Sequence, residues 1–418
     1  MTTFPGGRRA AEQRLAAIDP ARYGASRNHL DGAVTRLSPY IRHGVLTLAE
    51  VRDAVFARLA PLETASQRRR AGERLIAELG WRDYWQRLGR QLGEGIWHDR
   101  EPLRTGHDPA TYAPELPADL AAAATGLACI DAFAGELHQT GWLHNHARMW
   151  LAAYVVHWRR VRWQAGARWF LQHLLDGDPA SNNLSWQWVA SSFSQKPYIF
   201  NRSNLERYGA GRHCDGCPRQ HRGCPFAASY EQLQERLFTT SDPREPAAAA
   251  GRRGSTASAG STDGTVAAAP QRPLLWVHAE ALGPANPALQ AHPEALAVFV
   301  ASAEPPGTGG GVPLAEGRRR FVHDCLAELP VTVLEGDEVP TLLAAAAAAG
   351  ADGIVTSRAV DGRVQAIAEE LAATLPVQVL EPEPFVELPH SGPFAPDLRR
   401  FSRYWRQAEP LVWRQAGD

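Results

Sequence analysis

The stretch from Leu174 to Ser191, LLDGDPASNNLSWQWVAS, combines side-chain types that seldom occur together. Two aspartates, two asparagines and two tryptophans lie close together, and no charged residue follows Asp178 within the stretch. Buried polar groups are costly unless they are hydrogen-bonded. The stretch therefore either caps an ordinary helix or holds a polar ligand against aromatic rings.

Cysteines form a second group that could do chemistry. Five cysteines in 418 residues are too few for a disulfide scaffold. Cys214, Cys217 and Cys224 nevertheless follow a C-x2-C-x6-C pattern in HCDGCPRQHRGCPF, and Cys129 lies upstream in GLACIDAF. Thiolates on a tight loop converge on one metal ion or cluster, so this is a metal-type spacing. The fifth cysteine, Cys325, lies on an apolar helix face and is predicted to be a core residue.

The elements that must position these residues belong to two kinds of domain. Apolar residues recur at helical spacing through residues 1–238, which predicts a mostly helical domain. Residues 239–272 are rich in Ala, Gly, Ser and Pro, a composition typical of a flexible linker. In residues 273–384, short apolar runs alternate with helical stretches, which predicts a Rossmann-like α/β domain with a parallel sheet. Residues 385–418 form a tail that we expect to be partly helical.

The charge of the chain is unevenly distributed. The formal net charge is −1, but the helical part carries an excess of basic residues and the rest an excess of acidic ones. The first part could therefore favour an anionic partner such as nucleic acid, although scattered surface arginines would give the same balance. No apolar run is long enough for a transmembrane helix, and the first residues lack a signal-peptide core. These features predict a cytoplasmic protein without a membrane partner.

Four segments together resemble the DNA photolyase and cryptochrome family. VTRLSPYIRHGVLT resembles the family's phosphate-gripping segment, and AELGWRDYWQRL resembles its substrate-facing helix. TGWLHNHARMWLAAYVV and LLDGDPASNNLSWQW resemble the two segments that wrap the flavin. The resemblance implies a multidomain protein, with an all-α FAD-binding domain of photolyase type followed by a C-terminal Rossmann-like α/β domain. The common order of the family is the reverse, so the chain looks circularly permuted.

The same resemblance implies a set of FAD-binding residues. Arg148 is expected to pair with Asp176, and Asn182 to face the flavin N5, where an amide can both donate and accept hydrogen bonds. The remaining positions that match the family's cofactor contacts are Tyr23, Thr35, Leu37, Ser38, Asn145 and Asp178.

The activity that the resemblance implies is light-driven repair of UV-damaged DNA. An electron would pass from reduced FAD to a cyclobutane pyrimidine dimer, whose ring then splits. Trp186 and Trp163 match the family's electron-transfer chain, and Tyr112 is the one candidate for its outer member. The positions that match residues around the dimer are Glu78, Trp81, Met149 and Trp188.

Two other interpretations of the function stay open. His146 stands where many repair enzymes have arginine, and Arg82 is a further candidate for a DNA phosphate contact. A cryptochrome-like blue-light photoreceptor without repair activity is one alternative. A nucleic-acid-binding protein with a structural FAD is the other.

The cofactors beyond FAD are less defined. The cysteine pattern resembles the iron–sulfur branch of the bacterial members, which implies a [4Fe–4S] cluster on Cys129, Cys214, Cys217 and Cys224; zinc and free thiols remain alternatives. LLWVHAEALGPANPAL resembles the first strand and loop of the family's antenna-type domain, but the loop lacks the family's arginines and acidic residue. Whether an antenna chromophore binds is therefore left open.

Overall fold

The computed structural model describes residues 4–221, 223–238, 269–302 and 313–416. Most of the predicted linker lies outside these described residues. Twelve helices are described in the first part of the chain: α1 (Arg8–Ala16), α2 (Pro20–Ser26), α3 (Ser38–Arg42), α4 (Leu48–Leu59), α5 (Ala65–Leu92), α6 (Ala118–Ala121), α7 (Ala128–Thr140), α8 (Asn145–Ala153), α9 (Trp163–His173), α10 (Pro179–Ala190), α11 (Arg202–Gly209) and α12 (Tyr230–Leu237).

Helix α5 is the longest of these, with 28 residues. It begins with a capping box in which Thr64 and Gln67 bond each other's backbone N–H groups, and it ends at Gly93 with φ 51°. Gly80 lies where a neighbouring aromatic ring approaches closely, since a Cβ there would be 2.1 Å from the Trp405 ring. The helix can therefore pack closely against α17 near the end of the chain, and it also contacts α10.

The apolar pattern from residue 128 to residue 158 does not form one helix. Helix α7 ends at Gly141, which adopts the left-handed conformation with φ 65°. Helix α8 then begins at Asn145, with His144 as its N-cap, and it runs into one wide π-helical turn at Tyr154–Trp158. The break separates the two helices that carry Cys129 and Arg148.

The second part of the chain contains the predicted parallel sheet. Its five strands lie in the order β3-β2-β1-β4-β5, and all neighbouring pairs are parallel. A strand order that runs outward in both directions from β1 is that of a doubly wound fold, with helices on both faces. The elements are β1 (Pro273–Trp276), α13 (Pro287–Ala291), β2 (Ala297–Ala301), α14 (Glu316–Leu326), β3 (Thr332–Glu335), α15 (Glu338–Ala348), β4 (Gly353–Ser357), α16 (Gly362–Ala372) and β5 (Val377–Leu380).

A last helix, α17 (Phe401–Arg414), returns to the helical domain and packs along α5. The largest hydrophobic core is shared by both domains, because Phe4 and Tyr40 belong to the same cluster as Phe321, Phe385 and Trp413. A second core lies within the helical domain, and a third within the sheet. Among the described residues, no helix combines the length and apolarity needed to cross a bilayer.

Candidate functional site

The turn between α9 and α10 places two aspartates at the centre of the helical domain. Asp178 is the N-cap of α10 and accepts hydrogen bonds from the Ala180 N–H at 3.0 Å and the Ser181 hydroxyl at 2.8 Å. Asp176 is buried and forms the predicted ion pair with Arg148, at 2.8 Å. Burial would raise the pKa of Asp176, but Arg148 and the Ser38 hydroxyl together hold it below its usual value. The site therefore contains a buried carboxylate in its charged form.

Several buried polar atoms around this turn have no hydrogen-bond partner among the described residues. They include Asp176 Oδ1 and Arg82 Nε. Arg82 extends from α5 to within 3.4 Å of Asp178, so both atoms border the same turn. Leaving such atoms unpaired costs free energy, and unpaired atoms in a native structure need an explanation. A polar ligand seated among α5, α8 and the α9–α10 turn would supply the missing partners.

The predicted phosphate segment meets this region through Ser38. Ser38 begins α3 and accepts a hydrogen bond from the Trp142 indole N–H at 3.3 Å. Leu37 is buried, and its N–H donates to the Thr35 hydroxyl at 3.4 Å. Because Ser38 also bonds Asp176, the phosphate and flavin segments of the sequence prediction are brought together.

The other predicted cofactor residues lie in the same part of the domain but have partners within it. Asn182 donates to the Ala167 carbonyl at 3.1 Å and to Asn183 Oδ1 at 3.0 Å. Asn145 Nδ2 lies 3.6 Å from Met149 Sδ. Tyr23, on α2, lies beside Arg27, and burial raises the pKa of its hydroxyl to about 12. Contacts within the protein therefore hold these side chains in place.

The residues predicted to surround a DNA lesion lie on three helices. Glu78 and Trp81 project from α5, while Met149 belongs to α8 and Trp188 to α10. Glu78 forms an ion pair of 2.5 Å with Arg27. Burial nevertheless raises the pKa of Glu78, against the opposing effect of Arg27.

Each of the two lesion-side tryptophans has an aromatic neighbour. Trp81 is stacked on Phe401 of α17, with ring centroids 3.8 Å apart and planes 10° apart. Trp188 is 38% exposed, and its ring lies 5.5 Å from that of Tyr198. One face of Trp81 is thus covered by the end of the chain, while Trp188 remains open to solvent.

The two predicted electron-transfer tryptophans are both buried in the second core. Trp186 packs edge-on against Phe170, and its indole N–H has no partner in the described part of the chain. Trp163 donates its N–H to Asp99 Oδ1 at 2.6 Å. Tyr112 borders the same cavity as Trp163. The environments of the two tryptophans therefore differ, since only Trp163 faces a carboxylate.

The four predicted metal-binding cysteines line one small cavity: Cys129, Cys214, Cys217 and Cys224. Burial, followed by the neighbouring thiol of Cys214, raises the pKa of Cys129 to about 12. Within the residues that the structure describes, no three His, Cys, Asp or Glu side chains are grouped to hold a metal ion. The described residues therefore show no preformed site for the predicted cluster or for zinc. Cys325 is buried in the shared core, as predicted.

A family model described as the FAD binding domain of DNA photolyase matches residues 75–210. This range contains α8, the α9–α10 turn and most of α5, and therefore both aspartates of the site. Over these residues, the chain is similar to the FAD-binding domain of the DNA photolyase family. FAD is the cofactor of such a domain, and the unpaired buried polar atoms around Asp176 fit a ligand with many polar groups.

Curated relatives agree with this assignment. The chain is 34% identical over 162 residues to a deoxyribodipyrimidine photo-lyase of Streptomyces griseus, covering 38% of this chain and 32% of the relative. It is 35% identical over 190 residues to a protein of the same name from Thermus thermophilus, covering 43% and 41%. The matched regions thus span about a third to two-fifths of these relatives' own length.

Two solved structures are similar at 22% identity. A class III photolyase from Agrobacterium tumefaciens gives a TM-score of 0.43, covering 55% of this chain and 54% of that one. A cryptochrome from Synechocystis gives a TM-score of 0.44, covering 50% and 45%.

Sequence reasoning missed several contacts of the site. Arg82 is a candidate DNA phosphate contact by sequence, but the structure turns it inward, where it lies beside Asp178. Arg27 is not singled out by any motif, although it pairs with Glu78. Arg82 directly follows Trp81 in the WRDYW motif. The sequence does not show that the partner of Arg82 is a buried aspartate, Asp178. For Arg27 and Phe401, the chain offers no local signal.

Proposed function

We propose that this protein is a light-dependent DNA repair flavoprotein that splits cyclobutane pyrimidine dimers in UV-damaged DNA. Bound reduced FAD, once excited by light, would supply the electron that opens the dimer and would recover it afterwards. The proposed roles of the chain's own residues are to bind FAD, to hold the extruded dimer beside it and to exclude water.

The observation that carries this proposal is the double role of α5. Arg82 faces Asp178 in the FAD segment, and Trp81 and Glu78 lie next to it along the same helix. A single rigid helix therefore links the flavin side to the lesion side. Short, fixed separation between donor and acceptor is what an electron-transfer repair reaction requires, and a helix holds it better than a loop.

Glu78 is suited to read a pyrimidine edge. Burial raises the pKa of the Glu78 carboxyl group. In its charged form the group can accept from an N–H of an extruded base, and in its protonated form it can donate to a C=O of that base. For a dimer to reach it, the Glu78–Arg27 ion pair must open. Arg27 would then be free to approach a DNA phosphate, so dimer binding would exchange one ion pair for another.

Met149 and Trp188 would complete the apolar wall of the lesion cavity. Trp188 is already exposed and can stack on a base. Trp186 and Trp163 would carry electrons to the flavin during photoreduction, with Trp163 stabilised as a donor by the nearby Asp99 carboxylate.

The test is repair of dimer-containing oligonucleotides by the reduced protein under blue light, with a dark reaction as the baseline. Glu78→Gln should reduce repair severalfold while FAD content stays unchanged, because the residue contacts the lesion and not the cofactor. Glu73→Gln is the matched control on the same helix. Protein that contains reduced FAD and yet repairs no dimer would refute the proposal.

A photoreceptor role is the second candidate, and one observation favours it. Phe401 stacks on Trp81 and Arg27 neutralises Glu78, so two of the lesion-side groups already have partners inside the chain. Light-induced changes in the fluorescence or proteolysis of α17, without repair, would support this alternative. Lesion-independent and light-independent DNA binding would instead support a structural role for FAD.

We propose in addition that Cys129, Cys214, Cys217 and Cys224 bind a [4Fe–4S] cluster. They line a common cavity, and no disulfide joins them. In a cubane, each thiolate binds a different iron, so the sulfurs need not meet around a single ion. Iron and acid-labile sulfide assays on anaerobically purified protein test this, and protein with neither would overturn it.

A further inference from the structure

Arg318 reaches from the α/β domain into the turn that holds Asp176 and Asp178. The residue lies near the start of α14, and its side chain is 1% exposed. Its Nη1 donates to the Leu171 carbonyl at 2.8 Å, and its Nη2 donates to the Gly177 carbonyl at 2.8 Å. A cation at this depth costs free energy unless it is well paired, so its contacts must offset that cost.

Gly177 shows how closely the guanidinium approaches the turn. A Cβ at position 177 would lie 2.7 Å from Arg318 Nη1, so a side chain there would force the guanidinium to shift. The backbone of Gly177 is not in the left-handed region, so its conformation alone does not call for glycine. The glycine between the two aspartates therefore lets the arginine of the other domain approach the turn this closely.

The end of α9 is completed by the same domain. The last carbonyl groups of a helix have no partner within it, and they carry partial negative charge. Arg318 serves the Leu171 carbonyl, and the Ala315 N–H donates to the Gln172 carbonyl at 2.9 Å. The first residues of α14 thus cap the C-terminal turn of α9, immediately before the aspartate turn begins.

A second buried arginine also donates to this turn. Arg42 Nε donates to the same Gly177 carbonyl at 2.8 Å, and its Nη1 pairs with Glu280 of the α/β domain at 2.7 Å. Glu280 is itself held by the Val360 N–H at 2.7 Å. One carbonyl oxygen therefore accepts from two cations, one from each domain.

We propose that Arg318 is a positioning residue for the flavin, supplied by the α/β domain. By holding the Gly177 carbonyl, it fixes the directions in which Asp176 and Asp178 point, and hence the affinity of the site for FAD. The α/β domain then has a role in cofactor binding that needs no antenna chromophore. The inference rests on the proposed role of Asp176 and Asp178 as FAD ligands.

The test compares Arg318→Met with wild type in the full chain. Arg320→Ala is the matched control, because Arg320 lies on the same helix but is exposed. The first readout is hydrogen exchange of the backbone amides of residues 174–182 in flavin-free protein. The second is the FAD dissociation constant, followed by the fluorescence of released FAD. The loss of two charge-assisted hydrogen bonds predicts about tenfold faster exchange and about tenfold weaker FAD binding, with neither change in the control.

The outcomes separate this proposal from the proposed function. Wild-type protein that binds FAD while Arg318→Met matches it in both readouts would overturn the role of Arg318 alone. Wild-type protein that cannot bind FAD would refute the flavoprotein function, and the flavin role of Arg318 with it. If Arg318→Met does not fold, Arg318→Lys decides the matter. Lysine keeps the charge but cannot reproduce the planar fork that serves two carbonyls, so intermediate values are expected and wild-type values would overturn the proposal.

Discussion

His43 offers a sharp test of how the two domains are held together. The side chain is 1% exposed, with Nδ1 2.6 Å from the Ala279 carbonyl and Nε2 3.0 Å from the Leu175 carbonyl. Burial, reinforced by the nearby Arg318 and Arg42, lowers the pKa of His43 to about 3. We therefore expect a neutral ring that donates through Nδ1 to Ala279.

The direction of the pH effect follows from the lowered pKa. In the unfolded chain, histidine takes up a proton near pH 6.5. Below that pH, the unfolded state binds a proton that the folded state does not bind until about pH 3, so acid destabilises the fold. Each pH unit corresponds to about 1.4 kcal/mol, so the titration of His43 alone should lower the free energy of unfolding by about 2 to 3 kcal/mol between pH 6.5 and pH 4.5.

The assay is urea unfolding of wild type and His43→Gln at pH 7.5 and pH 4.5. Glutamine can still donate to the Ala279 carbonyl but does not titrate, and the effects of the other histidines cancel in the comparison. Wild type should lose about 2 to 3 kcal/mol more than the variant on acidification. The opposite possibility is a charged imidazolium that donates to both carbonyl groups, one from each ring nitrogen. If wild type instead loses less stability than His43→Gln, the ring is charged and our reasoning fails.

Three further outcomes follow from the site. Asp176→Asn should weaken FAD binding at least tenfold in a fluorescence titration, because the cation opposite loses its charged partner; unchanged affinity would remove Asp176 from the site. Cys217→Ser should abolish iron and sulfide content, whereas Cys325→Ser should retain both; equal contents in the two variants would refute the cluster assignment. Phe401→Ala should lower the free energy of unfolding by about 2 kcal/mol through loss of the ring stack, whereas Phe394→Ala, at an 84% exposed position, should change it little. A smaller effect for Phe401 than for Phe394 in thermal melts would contradict the observed packing.

Regular elements were predictable because their signals are local. The apolar runs that correspond to β1 to β5 are short and bounded by Gly, Pro or charged residues, and each falls on a strand of the structure. The pairing of Arg148 with Asp176 followed from the family's motif. The break at Gly141 was less visible, since apolar periodicity continues on both sides of it and the left-handed glycine is what separates α7 from α8.

Contacts between distant segments could not be predicted in the same way. Periodicity reports which face of a helix is buried, but not which residue of another domain lies against it. Arg318 is one of three consecutive arginines, and its partners are backbone carbonyls that every residue possesses. Phe401 likewise belongs to an amphipathic helix, and its contact with Trp81 joins two segments that lie far apart in the sequence.

The shared core has a consequence for how the protein folds during synthesis. Helices α4 and α5 leave the ribosome early, yet the apolar surface around Leu59 and Gly72 is covered by Trp413, near the far end of the chain. Until that segment has been made, this surface stays wet, and closing so long a loop delays folding. The apolar faces of α4 and α5 therefore stay exposed to water until α17 has been synthesised. This interval, more than the finished structure, is when the chain is most open to aggregation and to capture by chaperones.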